Sequence, residues 1–277
     1  MTALLQSQPL FWPMLLIAAG LSLTMFVAWA VQRLTSHSGW IDVIWSFGVG
    51  AGGLAAALLP GLGAAPRHYM VALLILLWSL RLGLHILNRT LKGGDDPRYA
   101  ALIAQWGKSA GWQLFLFLQI QALAALVLVL AVRLAATSPA PFPSIGDAAG
   151  LALLIVAVAG EAVADAQIER FRHAHKGEHL VCDTGLWSWS RHPNYFFEWL
   201  GWCAWAVIAI VPAFTGFGWL ALAAPAMMYG LLVHVSGVPP LEAHMLKSRG
   251  DAFRAYQARV SPFFPLPPHS APKGVTR

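Results

Sequence analysis

Residues 149–168 read AGLALLIVAVAGEAVADAQI, a run long enough to cross the ~30 Å hydrocarbon core of a bilayer as one helix. Six further apolar runs of similar length lie at about 11–32, 41–62, 69–88, 113–136, 196–213 and 215–236. Only 11% of the residues are charged and 58% are hydrophobic, whereas about a quarter of a soluble domain is charged. The sequence therefore predicts an all-α polytopic membrane protein, with seven transmembrane helices in a single domain over residues 1–277.

The distribution of basic residues predicts the orientation of the chain. If the C-terminus is cytoplasmic, every Lys and Arg except Arg67 and Arg133 lies on the cytoplasmic side or at helix ends that face it. Because seven spans place the termini on opposite sides, we expect the N-terminus outside and the C-terminus in the cytoplasm. The first apolar run has no basic residue before it and meets Arg33 after it, which favours a retained anchor over a cleaved signal peptide.

The hydrophilic segments carry further expectations. The net charge of +6 is spread over inner loops and a tail without a nucleic-acid-binding motif, so we expect no nucleic-acid partner, and no obligate protein partner is evident. Residues 241–256 place apolar side chains at helical spacing and predict an interfacial amphipathic helix. Prolines between 262 and 268 end this helix, and the tail 266–277 is expected to be disordered.

A polar stripe runs along the third apolar helix. Arg81, His85, Asn88 and Lys92 fall on one helical face, with Arg89 beside them. One interpretation is a cytoplasmic helix end whose long side chains reach the interface. The other, which we prefer for the deeper Arg81, is a face that lines a cavity.

The fifth apolar helix repeats this pattern. Glu161, Asp165 and Arg172 lie within a narrow arc of a segment that is otherwise apolar. A structural ion-pair network with the stripe of the third helix is one explanation. The other is a pocket for a large, polar, anionic ligand, because charged side chains inside a bilayer need partners or an aqueous cavity.

Asp42 is the lone acid of the second apolar run. It either caps the start of that helix or stays protonated in the membrane and donates a hydrogen bond at neutral pH. Further along, residues 48–53 read GVGAGG and match the dinucleotide-binding glycine pattern, but no βαβ unit surrounds them. We therefore interpret Gly48 and Gly52 as positions where helices pack closely.

A polar cassette, SRHPNYFFE at Ser190–Glu198, stands where the sixth apolar helix begins. A carboxylate such as Glu198 at the mouth of a membrane helix is costly unless a partner or an aqueous cavity meets it. The cassette therefore predicts a binding or catalytic site.

The cassette, together with GLW at 185–187, SGVP at 236–239 and Leu241-Glu242, resembles the C-terminal region of the steroid 5-alpha-reductase family in its bacterial type. The resemblance is good over about 160–265 and weaker but collinear from Trp40 onward. Members of that family are seven-helix membrane enzymes that use NADPH to reduce a carbon–carbon double bond conjugated to a ketone. The resemblance implies a multi-pass oxidoreductase acting on a steroid or lipid-like enone, in a bacterial inner membrane or a eukaryotic endoplasmic reticulum, with its active site open to the cytoplasm.

The resemblance also implies which residues hold NADPH. Arg172 and Lys176, with Arg89, are expected on the phosphates, and Asn194 and Glu198 on the nicotinamide and ribose. The whole set expected to bind the cofactor is Arg81, Asn88, Arg89, Asp165, Arg172, Lys176, Arg191, His192, Asn194, Tyr195 and Glu198. No metal is implied.

The substrate end departs from the animal members, which hold the steroid ketone with a Gln-Glu pair and a tyrosine. The nearest equivalents here are Asp42 and Trp78. We expect Asp42 to polarise the ketone as hydride passes to the β-carbon, with Trp78 and Glu198 completing the catalytic set. Trp40 and Trp45 are expected to line the substrate cavity.

Two other functions remain open. Membrane methyltransferases of the isoprenylcysteine carboxyl type also carry an Arg-His-Pro-x-Tyr segment and use S-adenosylmethionine, but they usually have paired glutamates where this chain has Glu242-Ala243. A transporter or channel would need a polar path across both leaflets, whereas the charges here crowd toward the cytoplasmic half. We therefore expect a reductase.

Overall fold

The structure is a computed structural model that describes residues 2–93, 96–178, 180–211 and 216–269, with side chains from residue 11 onward except that of residue 97. Within these ranges the regular structure is entirely helical. The helices are α1 (Thr2–Thr35), α2 (Gly39–Leu58), α3 (Ala65–Leu91), α4 (Pro97–Trp106), α5 (Ala110–Ala136), α6 (Ile145–Ala174), α7 (Pro193–Ile210), α8 (Ala223–Gly230) and α9 (Val238–Arg259).

Six described segments are long and apolar enough to cross a membrane. They are Phe11–Thr35, Gly39–Leu58, Ala65–Leu91, Arg98–Ala136, Ile145–Ala174 and Gly218–Arg259. They confirm an all-helical, multi-pass membrane architecture and match six of the seven predicted spans. The remaining prediction, over 196–213, falls on α7, whose first turns carry the polar side chains of Asn194 and Glu198. The count of seven and the orientation of the termini stay predictions.

The chain forms two compact units, which are described separately. The first comprises residues up to Gly150 together with Trp205–Ala224. The second comprises Leu151–Ala204 and the chain from Pro225 onward.

In the first unit, α2 packs against α1, α3 and α5. Its glycines permit this approach, because a Cβ at Gly48 would lie 2.7 Å from Thr24 of α1 and a Cβ at Gly50 would overlap Ser79 of α3. A Cβ at Gly52 would lie 3.3 Å from Val129 of α5. The packing interpretation of Gly48 and Gly52 is therefore confirmed.

Two arginines of the first unit are held by internal acceptors. Arg67 is fully buried and forms an ion pair with Asp147, with an Nε to Oδ1 distance of 2.7 Å. Its other nitrogens donate to carbonyl oxygens of residues 138–141. Arg133 donates in the same way to carbonyl oxygens of residues 56–60, where α2 ends. Arg67 and Arg133 are the two basic residues that the predicted orientation places on the non-cytoplasmic side. Each holds a loop in place through its hydrogen bonds.

The second unit contains α6 from Leu151, the first turns of α7, most of α8, and α9. The predicted amphipathic helix over 241–256 is confirmed within α9, although the backbone leaves helical geometry at Gly250, where φ is +50°. Phe253, Tyr256 and Val260 form a buried cluster on α9 and just beyond it. The tail 266–277, predicted to be disordered, lies mostly outside the described residues.

Two sequence expectations need correction, and one segment for which the sequence made no structural prediction contains a helix. The N-cap position of α2 is Ser38, so Asp42 does not cap this helix but lies in its first turn. The predicted span 215–236 is not one regular helix, because 3₁₀ geometry at Gly218–Leu222 precedes α8 and a π-helical turn at Leu231–Val235 follows it. The hydrophilic segment 89–112 contains a regular element, the helix α4.

Candidate functional site

Asp42 lies at the centre of a hydrogen-bonded group in the first unit. Its Oδ2 pairs with Nη2 of Arg98, and its Oδ1 accepts a hydrogen bond from the Tyr99 hydroxyl at 2.8 Å. The Gln121 side chain of α5 in turn donates to the Tyr99 oxygen at 3.0 Å. The structure therefore shows Asp42 as an acceptor held by two side chains, and its expected role as a proton donor stays a prediction.

Arg98 is fixed from its other side by Asp96. The Nε and Nη2 nitrogens of Arg98 each lie 2.9 Å from an Asp96 oxygen, and Arg89 adds a contact at 3.3 Å. Burial alone would raise the pKa of Asp96, but the hydrogen bonds and charges of the two arginines outweigh it and hold the pKa below its ordinary value. The start of α4 thereby positions Arg98 on Asp42.

The other predicted residues of the first unit differ in exposure. Trp78 on α3 is buried, with 3% of its surface exposed. Trp40, Trp45 and Arg81 are half-buried, and Asn88 and Arg89 are exposed. Two of these side chains contact the hydrogen-bonded group: Arg89 through Asp96 at 3.3 Å, and Trp45, whose indole donates to the carbonyl oxygen of Gln121 at 3.5 Å.

In the second unit, Arg191 of the cassette is clamped to α9. Its Nε and Nη2 nitrogens reach the two Glu242 oxygens at 2.7 and 3.2 Å. Its Nη1 donates to the carbonyl oxygens of Gln257 and Val260. Four of the five guanidinium N–H groups are thus used inside the protein. Arg191 therefore holds the cassette in place, and one N–H is left for the predicted contact with a cofactor.

His192 binds the same carboxylate. Its Nε2 lies 3.0 Å from Oε1 of Glu242, and its ring stacks on Tyr195 with centroids 5.5 Å apart and 12° between the planes. Only 4% of the side chain is exposed. Burial lowers the pKa of His192 below its ordinary value, and the attraction of Glu242 offsets only part of that effect.

The acidic and amide residues that follow make contacts of their own. Asn194 donates to Oδ1 of Asp165 on α6 at 3.3 Å. One turn further on, Oε1 of the buried Glu198 accepts from the Trp202 indole at 2.8 Å. The packing of α6 against the start of α7 thus brings Asp165 and Asn194 into contact, as a shared ligand site requires.

Arg172 and Lys176 lie at and just beyond the end of α6, and both side chains are exposed. Asp165 lies two turns earlier on the same helix. Exposed guanidinium and ammonium groups of this kind can form charge-assisted hydrogen bonds to a phosphate group.

Two cavities within the units are not lined by any predicted site residue. One, of about 470 Å³ in the second unit, is lined by Val163, Gln167, Gly185, Leu186, Ser188, Trp189, Phe197 and Pro265. The other, of about 190 Å³ in the first unit, is lined by Ala18, Ser22, Gln119, Ala122, Leu123 and Leu126. Neither contributes to the candidate site.

The partners of the predicted site residues do not follow from the sequence pattern. Arg98 and Tyr99 lie in a hydrophilic segment without a recognisable motif, fourteen or more residues before the apolar run 113–136. Glu242 was noted only as part of a motif, whereas it is the acceptor that joins Arg191, His192 and Gln257. The contacts of Asp42 with Arg98 and Tyr99, and of Glu242 with Arg191 and His192, link positions 50 to 57 residues apart, and no local spacing indicates them.

Comparisons with known proteins place the chain in a family. A family model described as protein of unknown function (DUF1295) matches residues 28–260 and so spans both units. No curated protein and no solved structure matches the chain. The matched range includes the Asp42 group, the cassette and α9. The chain belongs to the DUF1295 family, which comprises steroid 5-alpha-reductase-like membrane proteins.

Proposed function

We propose that the protein is an NADPH-dependent reductase that acts on a carbon–carbon double bond conjugated to a ketone in a steroid or lipid-like substrate. The observation that carries the proposal is the cassette: Asn194 contacts Asp165, Glu198 is buried in the next turn, and Arg191 fixes the segment to α9. Family membership supports the same reaction class. When bound, NADPH would supply the hydride.

The basic residues suit an anionic cofactor. NADPH carries about four negative charges at neutral pH. Arg172 and Lys176 are exposed and are proposed to bind its phosphates, whereas Asn194 and Glu198 would fix the nicotinamide and ribose. Arg191, most of whose donors are engaged, is proposed to act by positioning His192 and Asn194.

The polarising step is assigned to Asp42 and its partners. A ketone oxygen gains negative charge during hydride transfer and needs a hydrogen-bond donor at that moment. Because Arg98 and Tyr99 hold Asp42 as an acceptor, a proton must enter this group before or during the transfer. The half-buried Trp40 and Trp45 are proposed to contact the flat apolar substrate.

Equilibrium binding of NADPH and of S-adenosylmethionine to the detergent-purified protein tests the proposal. NADPH should bind and S-adenosylmethionine should not, and Arg172→Ala should weaken NADPH binding by 10-fold or more because it removes a charge-assisted contact to phosphate, worth about 1.5–3 kcal/mol. Arg170→Ala is the matched control, since Arg170 is exposed on the same helix and should leave affinity unchanged. Binding of S-adenosylmethionine alone would instead support a methyltransferase.

A further inference from the structure

His192 carries a buried nitrogen whose partner is missing from the part of the chain that the structure describes. Its Nδ1 is inaccessible to solvent, and no described donor or acceptor lies within hydrogen-bond distance of it. A buried polar atom left without a hydrogen bond costs about 1–3 kcal/mol, and nearly all such atoms in native proteins have a partner.

The contacts of Glu242 determine the hydrogen-bonding character of this nitrogen. The carboxylate accepts from Arg191 and from the Gln257 side chain, which both favour its ionised form. An ionised carboxylate has no proton to give, so Nε2 of His192 must donate to it. In a neutral imidazole with Nε2 protonated, Nδ1 is a hydrogen-bond acceptor.

The location of Nδ1 suits a ligand. His192 immediately precedes α7 and lies two residues before Asn194, which contacts Asp165. Tyr195 stacks on a face of the imidazole, with 12° between the two ring planes. Because the lone pair of Nδ1 lies in the ring plane, a ring stacked on the face of the imidazole does not itself satisfy that lone pair.

We propose that Nδ1 of His192 accepts a hydrogen bond from an N–H or O–H group of the bound nicotinamide nucleotide, an inference that rests on the proposed function. Glu242 is then a positioning residue, because its ionised carboxylate sets the tautomer that makes Nδ1 an acceptor. The two donors of matching chemistry are the carboxamide amino group and a ribose hydroxyl.

Two substitutions distinguish the role of Nδ1 of His192 from that of Nε2. In His192→Gln the side-chain amide reaches the position of Nε2 and can still donate to Glu242, but nothing replaces Nδ1. In His192→Asn the amide lies near the position of Nδ1 and the contact to Glu242 is lost. We expect His192→Gln to weaken NADPH binding by about 3- to 10-fold with little change in melting temperature. We expect His192→Asn to lower the melting temperature and to retain more of the NADPH affinity.

The measurement is the NADPH dissociation constant of full-length, detergent-purified protein, with His244→Gln as control because His244 is exposed on α9. An NADPH analogue with acetyl in place of carboxamide identifies the donor: equal affinity for wild type and His192→Gln indicates the carboxamide, and a persisting loss indicates ribose. An unchanged NADPH constant in His192→Gln would overturn the contact and mean that Nδ1 meets only a buried water. Wild-type protein that binds no NADPH would overturn the proposed function itself.

Discussion

At the scale of single residues, Asp42 illustrates how a partner changes the chemistry of a side chain. Its position in the first turn of α2 is visible in the sequence, but the ion pair with Arg98 and the hydrogen bond from Tyr99 are not. In the folded protein the Asp42 carboxyl group is not isolated, because it accepts from both of these side chains. The proposed proton donor to the ketone is therefore the whole group.

Substitution of Asp42 tests that assignment. Asp42→Asn keeps the shape but removes the group that can carry a proton, so the rate of enone reduction should fall by about 10²- to 10³-fold. The dissociation constant for NADPH should stay within about 2-fold of wild type, because no cofactor contact is assigned to Asp42. Asp183→Asn is the matched control, since Asp183 is a partly exposed acid paired with Arg259. Full activity of Asp42→Asn would remove Asp42 from the mechanism.

The burial of His192 predicts a pH dependence of stability. Its pKa in the folded protein is lower than the ordinary value of 6.5, so below that pH the unfolded chain takes up a proton that the folded chain resists. Stability should therefore fall as the pH drops from 6.5 toward the lowered pKa. Between pH 7.5 and 5.5, the wild-type melting temperature should decrease by about 2–4 °C more than that of the non-titrating His192→Gln. A steeper decrease in His192→Gln would contradict this expectation.

At the scale of the elements, periodicity and length predicted most of the membrane helices because both follow from local sequence. They did not predict α4 or the π-helical turn at Leu231–Val235, since short or irregular elements depend on the chain around them. The close approach of α2 to its neighbours could be predicted from Gly48 and Gly52, because a missing side chain is visible in the sequence itself.

The contact of α2 with α3 makes a prediction about Gly50. Gly50→Ala would place a Cβ on Ser79, whose hydroxyl donates to the Ser46 carbonyl at 3.0 Å, so the helices must separate or that hydrogen bond must break. Overpacking of this kind costs about 1–3 kcal/mol. The melting temperature should fall clearly in Gly50→Ala. It should hold or rise in the control Gly20→Ala, which has no neighbour within 4 Å at that position and gains helix propensity.

At the scale of the whole molecule, the charge bias of the loops predicts an orientation that the helices alone do not determine. The two exceptions are Arg67 and Arg133. Both donate to acceptors inside the protein, which explains why a basic residue lies on the non-cytoplasmic side at each of these positions. The contacts that shape the candidate site could not be predicted in the same way. They join distant parts of the chain, such as Arg191 and Glu242, and depend on the fold.

Cysteine labelling in intact cells or vesicles tests the orientation of the chain and, at the same time, whether α7 crosses the membrane. Leu62 and Phe217 are exposed, and both should face outside if α7 crosses the membrane. In a background without Cys182 and Cys203, a membrane-impermeant maleimide should label Leu62→Cys and Phe217→Cys from outside but not Lys92→Cys. Labelling of Lys92→Cys alone would reverse the orientation, and failure at Phe217→Cys alone would mean that α7 does not cross.

The central claim is that the protein transfers hydride from NADPH to a conjugated enone. The most direct measurement supplies NADPH with deuterium at the transferred position of the nicotinamide, together with a 3-oxo-4-ene steroid or a shorter lipid enone, and follows the product by mass spectrometry. We predict one deuterium at the β-carbon of the saturated ketone, formed by the purified wild-type protein and strongly reduced in Asp42→Asn. A product without deuterium, or a protein that leaves both enones unchanged and retains S-adenosylmethionine instead of NADPH, would contradict the account.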